Sequence, residues 1–325
     1  MPGAEPPAQH QHRQGTQMTQ AAGKTVLITG ANAGIGKEVA RQLALRLDIG
    51  RIYLACRNPS RAQAAKAELV AAAGRSIFDV VIMDVSDPGS VRAALPAIDG
   101  PLDALIMNAG GSGGDTPLAL TAAGTTRIFA VNVLGHVVLL DALLAEDRLT
   151  EVALYAGSEA ARGIPKFRMQ RPAFATTSAD ELATVINGSY FKGRAPSPAL
   201  AYSQAKYIAA LWMASMARGR PNLRFITMSP GNTFGTGALS DQPLPLRLAA
   251  KYVMPAVGLS HRPTIGAGRL VDGITDTTLR SGVFYASAAT AVTGPVTDQA
   301  DIFPDLRNVS FQDNASQAIH RFIPA

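Results

Sequence analysis

The chain has 325 residues, of which 47% are apolar and 17% are charged, and its formal net charge is +6. This composition fills a sizeable core, and the single cysteine, Cys56, excludes an intrachain disulfide framework and fits a reducing compartment. The arginines are scattered and form no basic block, which favours a solvated surface and an anionic small ligand over nucleic acid.

The N-terminal stretch, residues 1–23, is rich in Gln, His, Pro and Ala and lacks the apolar segment of a signal peptide. We expect a disordered leader there, with His10 and His12 part of a floppy tail or an expression artefact, and we expect no metal site. The longest apolar run, 128–145, is interrupted by polar residues, so no membrane span is expected. We therefore expect a soluble, cytoplasmic protein.

Strand and helix patterns alternate from residue 24 to the C-terminus without a repeat or a linker. Such alternation predicts parallel βαβ units. The expected fold is one α/β domain over 24–325, doubly wound, with a mostly parallel seven-stranded sheet and helices on both faces. The predicted strands are 26–28, 51–55, 78–83, 102–107, 152–156, 224–228 and 282–286. The predicted helices are 35–47, 59–73, one from 87 and 201–218, and the segment 118–145 is expected to be mostly helical.

The stretch 24–37 organises the rest of the chain. A buried apolar strand at 26–28 is followed by Gly30, Gly34, Gly36 and the start of a helix. Glycine at 30 permits a tight turn, and glycines at 34 and 36 let a pyrophosphate approach the backbone and let the helix pack on the strand. The helix N-terminus would then present unpaired N–H groups to the anion.

Further motifs follow, each at the end of a predicted strand or on the helix after it. With them, the sequence resembles the short-chain dehydrogenase/reductase family, which binds NAD(P) on a Rossmann sheet, and is most similar to its retinol-dehydrogenase-like members. The motifs that carry the family resemblance are 29–36 (TGANAGIG), Asp84-Val85, Asn108-Ala109-Gly110, Asn132, Ser158, Tyr202-x-x-x-Lys206 and Pro230-Gly231. The similarity to retinol-dehydrogenase-like members rests on Cys56-Arg57-Asn58, 131–136 and the long gap before Tyr202.

The chemistry can also be argued from residue types. Reducing a carbonyl by hydride requires a proton donor at the carbonyl oxygen and a group that holds this oxygen. A free tyrosine, with a pKa of about 10, is a poor acid-base group at neutral pH, but a lysine four residues later lies on the same helix face and its ammonium favours the phenolate. Tyr202 and Lys206 have this spacing, and Ser158 can hydrogen-bond the substrate oxygen. The resemblance implies that Asn132 braces the lysine relay through its backbone and water.

The preference for NAD or NADP depends on the end of the second strand. NAD enzymes usually carry Asp or Glu there for the ribose 2′-hydroxyl. This chain has Arg57 and no carboxylate nearby, which predicts NADP(H) because guanidinium suits a 2′-phosphate; a solvated loop arginine is the alternative. The cofactor contacts implied by the resemblance are Gly30, Asn32, Gly34, Ile35, Gly36, Arg57, Asp84 and Val85 (at the adenine), Asn108, Ala109, Gly110, Tyr202, Lys206, Pro230, Gly231 and Thr233.

The sequence departs from the family pattern after Pro230-Gly231. Gly235 stands where the family expects a threonine, so Thr233 or Thr236 is expected to make that contact. His136 lies within an apolar helix, which favours a packed core residue over a base.

Two segments are expected to shape the substrate cleft. The insertion 164–199 carries Ser178-x-x-Glu181, a capping box for a short helix ending near Gly188, and forms either a rim beside the cleft or an inert surface excursion. The segment 235–263 is rich in Leu, Pro and Met, and the resemblance implies a mobile substrate lid. Its apolar content favours a lipophilic or aromatic substrate.

Two functions from different classes remain. The first is an NADP(H)-dependent alcohol dehydrogenase or carbonyl reductase that acts on a small-molecule alcohol or carbonyl. The second is a catalytically silent nucleotide-binding protein on the same fold, a redox sensor or assembly partner. Intact Ser158, Tyr202 and Lys206 favour the first. The substrate, the reaction direction and the oligomeric state stay open, with a homo-oligomer compatible with the sequence.

Overall fold

The computed structural model describes residues 23–167, 169–233 and 259–324. Its strands form one sheet in the order β3-β2-β1-β4-β5-β6-β7-β8, in which every pair is parallel except β7–β8. The strands are Lys24–Thr29 (β1), Ile49–Cys56 (β2), Phe78–Ile82 (β3), Leu102–Met107 (β4), Leu149–Ala156 (β5), Arg224–Met228 (β6), Phe284–Ser287 (β7) and Val296–Asp298 (β8).

Helices cover both faces of the sheet. One hydrophobic cluster packs α1, α2 and α7 on one face, and a second packs α3, α4, α5, α6 and α8 on the other. The predicted doubly wound α/β architecture is therefore confirmed. The helices are Gly34–Ala44 (α1), Pro59–Ala73 (α2), Pro88–Ala94 (α3), Arg127–Ala145 (α4), Ala179–Ile186 (α5), Pro198–Gly219 (α6), Pro263–Thr275 (α7) and Val309–His320 (α8).

The predicted number of seven strands is wrong, since the described residues contain eight. β8 has only three residues and pairs antiparallel with β7 at the sheet edge, so it is too short to leave an alternating pattern. The segment 118–145 is mostly helical, as predicted, and its helix begins at Arg127. Before it, Thr121 N donates to Thr125 O and Gly124 has a φ of +74°, which makes a turn.

Local capping confirms the predicted start and end of α2 and the predicted start of α3. The Asn58 side chain accepts a hydrogen bond from Arg61 N at 2.9 Å, and Gly74 ends α2 with a left-handed φ of +64°. The Asp87 side chain accepts from Gly89 N at 2.9 Å at the start of α3. These side chains satisfy backbone groups that helix ends otherwise leave unpaired.

The apolar helix α4 lies inside the protein. Within the described residues it is the one helix long and apolar enough to cross a membrane, but 78% of that stretch is buried. It packs against α3 and α6, and its middle, Ala130–Leu134, is a π-helical turn. This burial accounts for the apolar sequence.

The described part of the insertion is built into the core. Leu182 and Ile186 of α5 have no exposed surface and pack with α8. The Phe174 ring stacks on Tyr207 at 5.9 Å and meets Phe311 edge-on at 5.7 Å. This segment therefore covers part of the face that carries α6 and α8. Of the predicted lid, 235–258 lies outside the described residues.

The capping box of α5 is only half formed. Ser178 Oγ accepts from Glu181 N at 3.2 Å, as predicted. The Glu181 carboxylate, however, accepts from Ala175 N at 2.7 Å and Thr176 N at 2.5 Å instead of returning to Ser178 N. The chain before the helix folds back far enough to reach this carboxylate, which spacing alone does not reveal.

Candidate active site

The glycine-rich turn joins β1 to α1. Gly30 and Gly34 have φ values of +68° and +55°, a backbone region that strains other residues. A Cβ at Gly36 would lie 2.5 Å from Gly30 O, so glycine there lets α1 approach the turn. No side chain among the described residues caps α1 at Ala33, and its first N–H groups are suited to an anion. Asn32 and Ile35 are half-buried in the same turn.

The loop after β4 lies directly against this turn. Thr29 Oγ1 accepts from Asn108 N and from Ala109 N, both at 2.9 Å, and Asn108 Nδ2 donates to Thr29 O at 2.9 Å. A Cβ at Gly110 would lie 2.6 Å from Asn132 Oδ1. The two loops therefore form one continuous floor where the sheet order reverses between β1 and β4.

The ends of β2 and β3 carry a cation and a carboxylate. The Arg57 side chain is 75% exposed, and its Nη1 lies 3.7 Å from Asp84 Oδ2. Asp84 Oδ1 also accepts from Ser86 N at 2.9 Å. Val85 is buried, and its carbonyl oxygen would lie only 1.9 Å from a Cβ at Gly135, so α4 can sit here only because residue 135 is glycine. The exposed guanidinium of Arg57 is available to a further anion.

Asn132 lies in the π-helical turn of α4 and is fully buried. Its Nδ2 donates to Gly111 O at 2.8 Å and to Ile128 O at 2.7 Å, and its Oδ1 accepts from Gly111 N at 3.2 Å. Its main-chain oxygen accepts from Tyr155 OH at 2.9 Å and pairs with His136 Nδ1 at 3.1 Å. The side chain thus holds the loop after β4, while the carbonyl has two partners within the core.

His136 connects Asn132 to the end of β1. Because Thr29 Oγ1 already accepts two backbone N–H bonds, its proton is directed to His136 Nε2 at 3.0 Å; the other acceptor, Ile106 O, is 3.5 Å away. We assign the proton of the ring to Nδ1, which donates to the Asn132 oxygen. Burial lowers the pKa of His136 to about 4, so the ring is neutral near pH 7. The structure bears out the prediction of a packed core residue.

Ser158, Tyr202 and Lys206 meet at the carboxyl end of β5. Ser158 Oγ accepts from Ala160 N at 3.2 Å and hydrogen-bonds the hydroxyl of the half-buried Tyr202. Lys206 follows one turn later on α6, is 4% exposed, and donates from Nζ to Ala156 O at 2.9 Å. A single helix therefore brings the predicted proton donor and its lysine to the predicted serine.

The pKa of Tyr202 is displaced upward, whereas the spacing of Lys206 predicted an ammonium that favours the phenolate. Burial raises the pKa of Tyr202, the hydrogen bond from Ser158 opposes this, and the negative charge of Glu159 adds to it. Burial lowers the pKa of Lys206 to about 7. Removal from water disfavours the charged form of both side chains. The Lys206 ammonium lies 5.7 Å from the Tyr202 ring centre and 4.6 Å from that of Tyr155.

The loop after β6 turns sharply at Pro230-Gly231. Gly231 has a φ of +75°, its N donates to Ser229 Oγ at 3.0 Å, and a Cβ there would lie 2.6 Å from Arg269 Nη1. Thr233 Oγ1 lies 3.2 Å from Gly231 O and is turned toward its own loop. The other predicted threonine, at position 236, lies outside the described residues.

Sequence reasoning missed Glu159. Its carboxylate is 3% exposed and accepts from Ser229 Oγ at 2.5 Å, from Ser287 N at 3.1 Å and from Ser287 Oγ at 2.9 Å, while Arg269 Nη1 lies 3.5 Å away. Its partners are distant along the chain, so no motif spacing marks it. The available signal was a lone charged residue directly after Ser158.

A glycine-rich strand–turn–helix at the reversal of strand order defines the dinucleotide-binding class of α/β folds. A family model described as short chain dehydrogenase matches residues 24–151. Retinol dehydrogenase 12 of Mus musculus is 42% identical over 141 residues, which cover 42% of this chain and 43% of that protein. Dehydrogenase/reductase SDR family member 12 of Bos taurus is 29% identical over 74% of this chain and 70% of that protein.

These matches show that residues 24–151 are similar to short chain dehydrogenases and that part of the chain resembles retinol dehydrogenases. The match to the first of these relatives spans less than half of that protein's length. Among solved structures, L-sorbose reductase from Gluconobacter frateurii, complexed with NADPH and L-sorbose, has a TM-score of 0.61 at 18% identity and covers 83% of this chain and 97% of that chain. That likeness supports the fold.

Proposed function

We propose that the protein is an NADP(H)-dependent oxidoreductase that interconverts an alcohol and a ketone or aldehyde. The observation that carries this proposal is the meeting of Ser158, Tyr202 and Lys206 at the end of β5, beside the glycine-rich turn. A hydroxyl that can hold a carbonyl oxygen, a phenol that can exchange a proton with it and an amine one helical turn away are the groups that this reaction requires.

The glycine-rich floor fits a dinucleotide. A Cβ at Gly30, Gly36 or Gly110 would press against Ala109, Gly30 O or Asn132, so glycine lets the turn, α1 and the neighbouring loop pack closely together. The start of α1 then offers N–H groups to a pyrophosphate. Asp84 and Val85 would border the adenine. When bound, the nicotinamide ring supplies or accepts the hydride. The other residues that we propose for this site are Asn32, Gly34, Ile35, Asn108, Ala109, Pro230, Gly231 and Thr233.

The proton chemistry is assigned to three side chains. Tyr202 donates its phenolic proton to the carbonyl oxygen in reduction and accepts it back in oxidation. Ser158 Oγ holds the substrate oxygen beside that hydroxyl. Lys206, with a pKa near 7, exchanges its own proton readily at neutral pH and can restore the proton of Tyr202. Asn132 holds the loop at Gly111, and this loop lies beside Lys206.

The preference for NADP(H) rests on Arg57. Its guanidinium lies at the carboxyl end of β2, where the ribose of a dinucleotide is expected, and most of its surface is open to solvent. Charge-assisted hydrogen bonds to a 2′-phosphate would replace the loose contact with Asp84 at 3.7 Å.

The substrate that we propose is lipophilic or aromatic. The apolar composition of 235–263 supports this, as do relatives named for retinol, a lipophilic alcohol. The experiment is to follow oxidation of NADPH and of NADH by the purified protein with ketones and aldehydes of increasing apolar size.

Turnover that depends on the carbonyl and rises with its apolar size supports the proposal. The matched control is Ser158→Ala, which should reduce turnover with every active carbonyl while cofactor binding persists. No turnover with any carbonyl, in a protein that binds NADPH, would favour the catalytically silent alternative.

A further inference from the structure

A buried ion pair joins the residue after Ser158 to α7 and has no part in the chemistry assigned above. Glu159 and Arg269 have side chains only 4% and 8% exposed, with Nη1 and Oε1 3.5 Å apart. The carboxylate also accepts three hydrogen bonds from Ser229 and Ser287. Burying two charges is unfavourable unless they are paired and hydrogen-bonded, as these are.

The pair joins the ends of three strands. Glu159 follows β5, Ser229 follows β6 and Ser287 ends β7, while Arg269 comes from α7. Arg269 Nη1 also lies 3.3 Å from Ser229 O, and Nη2 donates to Ser287 Oγ at 3.0 Å. Ser229 Oγ in turn accepts from Gly231 N at 3.0 Å. The carboxylate is therefore tied to the loop that we propose for the nicotinamide.

The residue that bears this carboxylate is also linked to the proposed proton donor through Ser158 and α6. Glu159 directly follows Ser158, and the segment Glu159–Arg162 packs against α6, which carries Tyr202. The Ser158 hydroxyl, bonded to Tyr202, caps this segment through Ala160 N at 3.2 Å.

The charged or titratable groups around Glu159 and Tyr202 come from several elements. Arg162 is on the same segment, but its guanidinium donates to carbonyl oxygens of the loop after β7, including Ala289 O at 2.7 Å. His261 precedes α7 and pairs through Nε2 with Pro230 O at 2.7 Å. The remaining groups are Arg269 on α7, Lys206 on α6 and Tyr155 on β5.

We propose that Glu159 is a positioning residue whose negative charge holds Tyr202 in its protonated form, and that Arg269 limits this effect. This inference rests on the proposed function. A fixed negative charge beside a phenol makes its ionisation less favourable, and a nearby cation makes it more favourable. The direction in which Glu159 displaces the pKa of Tyr202 is upward, in agreement with the geometry. Tyr202, the proton donor of carbonyl reduction, thereby stays protonated to higher pH.

The two charges predict opposite changes in the pH profile of turnover. Glu159→Gln keeps the shape of the side chain and one acceptor oxygen but removes its charge. The limb of the pH profile that reports ionisation of Tyr202 should therefore move to lower pH. Arg269→Gln leaves the carboxylate less compensated and should move the same limb to higher pH. Interactions of this kind should displace the limb by about half a pH unit. On the sloping part of the pH profile, this corresponds to a change in turnover of about threefold.

The test measures kcat and kcat/KM for alcohol oxidation and carbonyl reduction against pH in the wild type and in Glu159→Gln, Glu159→Asp and Arg269→Gln, each verified as folded by circular dichroism. Glu159→Asp retains the charge and should keep the limb close to that of the wild type. A purely structural role would lower activity in the variants without displacing their profiles in opposite directions.

Displacement in the same direction by Glu159→Gln and Arg269→Gln, or none in folded Glu159→Gln, would overturn the inference. If Glu159→Gln does not fold, Arg269→Gln decides: a limb moved to higher pH supports the proposal, and an unmoved or lowered limb contradicts it. Tyr202→Phe separates this result from the proposed function. Retained turnover in Tyr202→Phe refutes the assignment of Tyr202 itself, whereas lost turnover with unmoved profiles in the charge variants refutes only the role of Glu159.

Discussion

His136 should make the protein sensitive to mild acid. The neutral ring is fully hydrogen-bonded, with Nε2 accepting from Thr29 and Nδ1 donating to Asn132 O, and burial lowers its pKa from 6.5 to about 4. In the unfolded chain the ring takes up a proton near its ordinary pKa. Because the folded-state pKa is depressed, this contribution to stability is fully present above about pH 6.5 and is lost as pH falls toward 4.

The size of this loss follows from the displacement of the pKa. At about 1.4 kcal/mol per pH unit, the fall from 6.5 to about 4 corresponds to about 3 kcal/mol, of which about 2 kcal/mol is lost by pH 5. His136→Gln cannot titrate, so it should be less stable than the wild type at pH 7 but should lack this acid-dependent loss. The difference in unfolding free energy between the two proteins should therefore narrow by about 2 kcal/mol from pH 7 to pH 5.

Urea unfolding at pH 7, 6 and 5 measures this difference, with the fluorescence of the single, fully buried Trp212 as reporter. Carboxylates that titrate in both proteins cancel in the comparison. His320→Gln is the control: the side chain of Asp141 raises the pKa of His320, so its contribution is present at low pH and is lost as pH rises. A wild-type-to-His136→Gln difference that stays constant from pH 7 to pH 5 would refute the burial argument.

Three further outcomes are expected. Arg57→Asp should reverse the order of affinities for NADPH and NADH, which in the wild type should differ by about 1–3 kcal/mol in fluorescence titrations; equal wild-type affinities would remove Arg57 from the site. Gly135→Ala places a Cβ 1.9 Å from Val85 O and should lower the urea-unfolding free energy by about 1–3 kcal/mol; an unchanged value would contradict the close packing of α4 on Val85. Leu182→Ala should lower the unfolding free energy by about 2–5 kcal/mol in the same assay. A smaller decrease would contradict the packing of the insertion in the core.

The parts of the fold that local chemistry determines could be predicted from the sequence. The strands at 102–107 and 224–228 were predicted with their observed bounds, because each is an apolar run inside a parallel sheet. Asn58 and Asp87 marked their helices because short polar side chains cap exposed N–H groups. The three-residue β8 gave no such signal, since its pairing depends on β7 and the chain's return to the sheet edge.

The sequence predicted that Ser158, Tyr202 and Lys206 lie together, but it did not predict the electrostatics around them. The spacing of Tyr202 and Lys206 placed both on one face of α6, and the structure brings Ser158 to the same point. Spacing does not report burial, however, and burial reverses the expected direction of the Tyr202 pKa. The role of Glu159 depends on partners at positions 229, 269 and 287, which only the folded sheet brings together.

The π-helical turn of α4 is a second feature that the sequence did not predict. Asn132 bonds both the N–H and the carbonyl of Gly111, so the turn positions the loop after β4. Its carbonyl, expected to face the lysine relay, instead accepts from Tyr155 and His136. Hydrogen-bond partners of this kind are chosen by packing between the helix and the sheet, which periodicity does not encode.

The central claim is that Tyr202 exchanges the proton in carbonyl–alcohol interconversion. Tyr202→Phe keeps the ring and its packing on α6 but removes the hydroxyl that meets Ser158. The decisive measurement compares turnover and NADPH affinity for the wild type and this variant on the same substrate. We expect unchanged NADPH affinity and turnover lower by at least about 10²–10⁴-fold, the usual contribution of general acid-base catalysis. Turnover close to that of the wild type, in a variant that binds NADPH normally, would contradict the account.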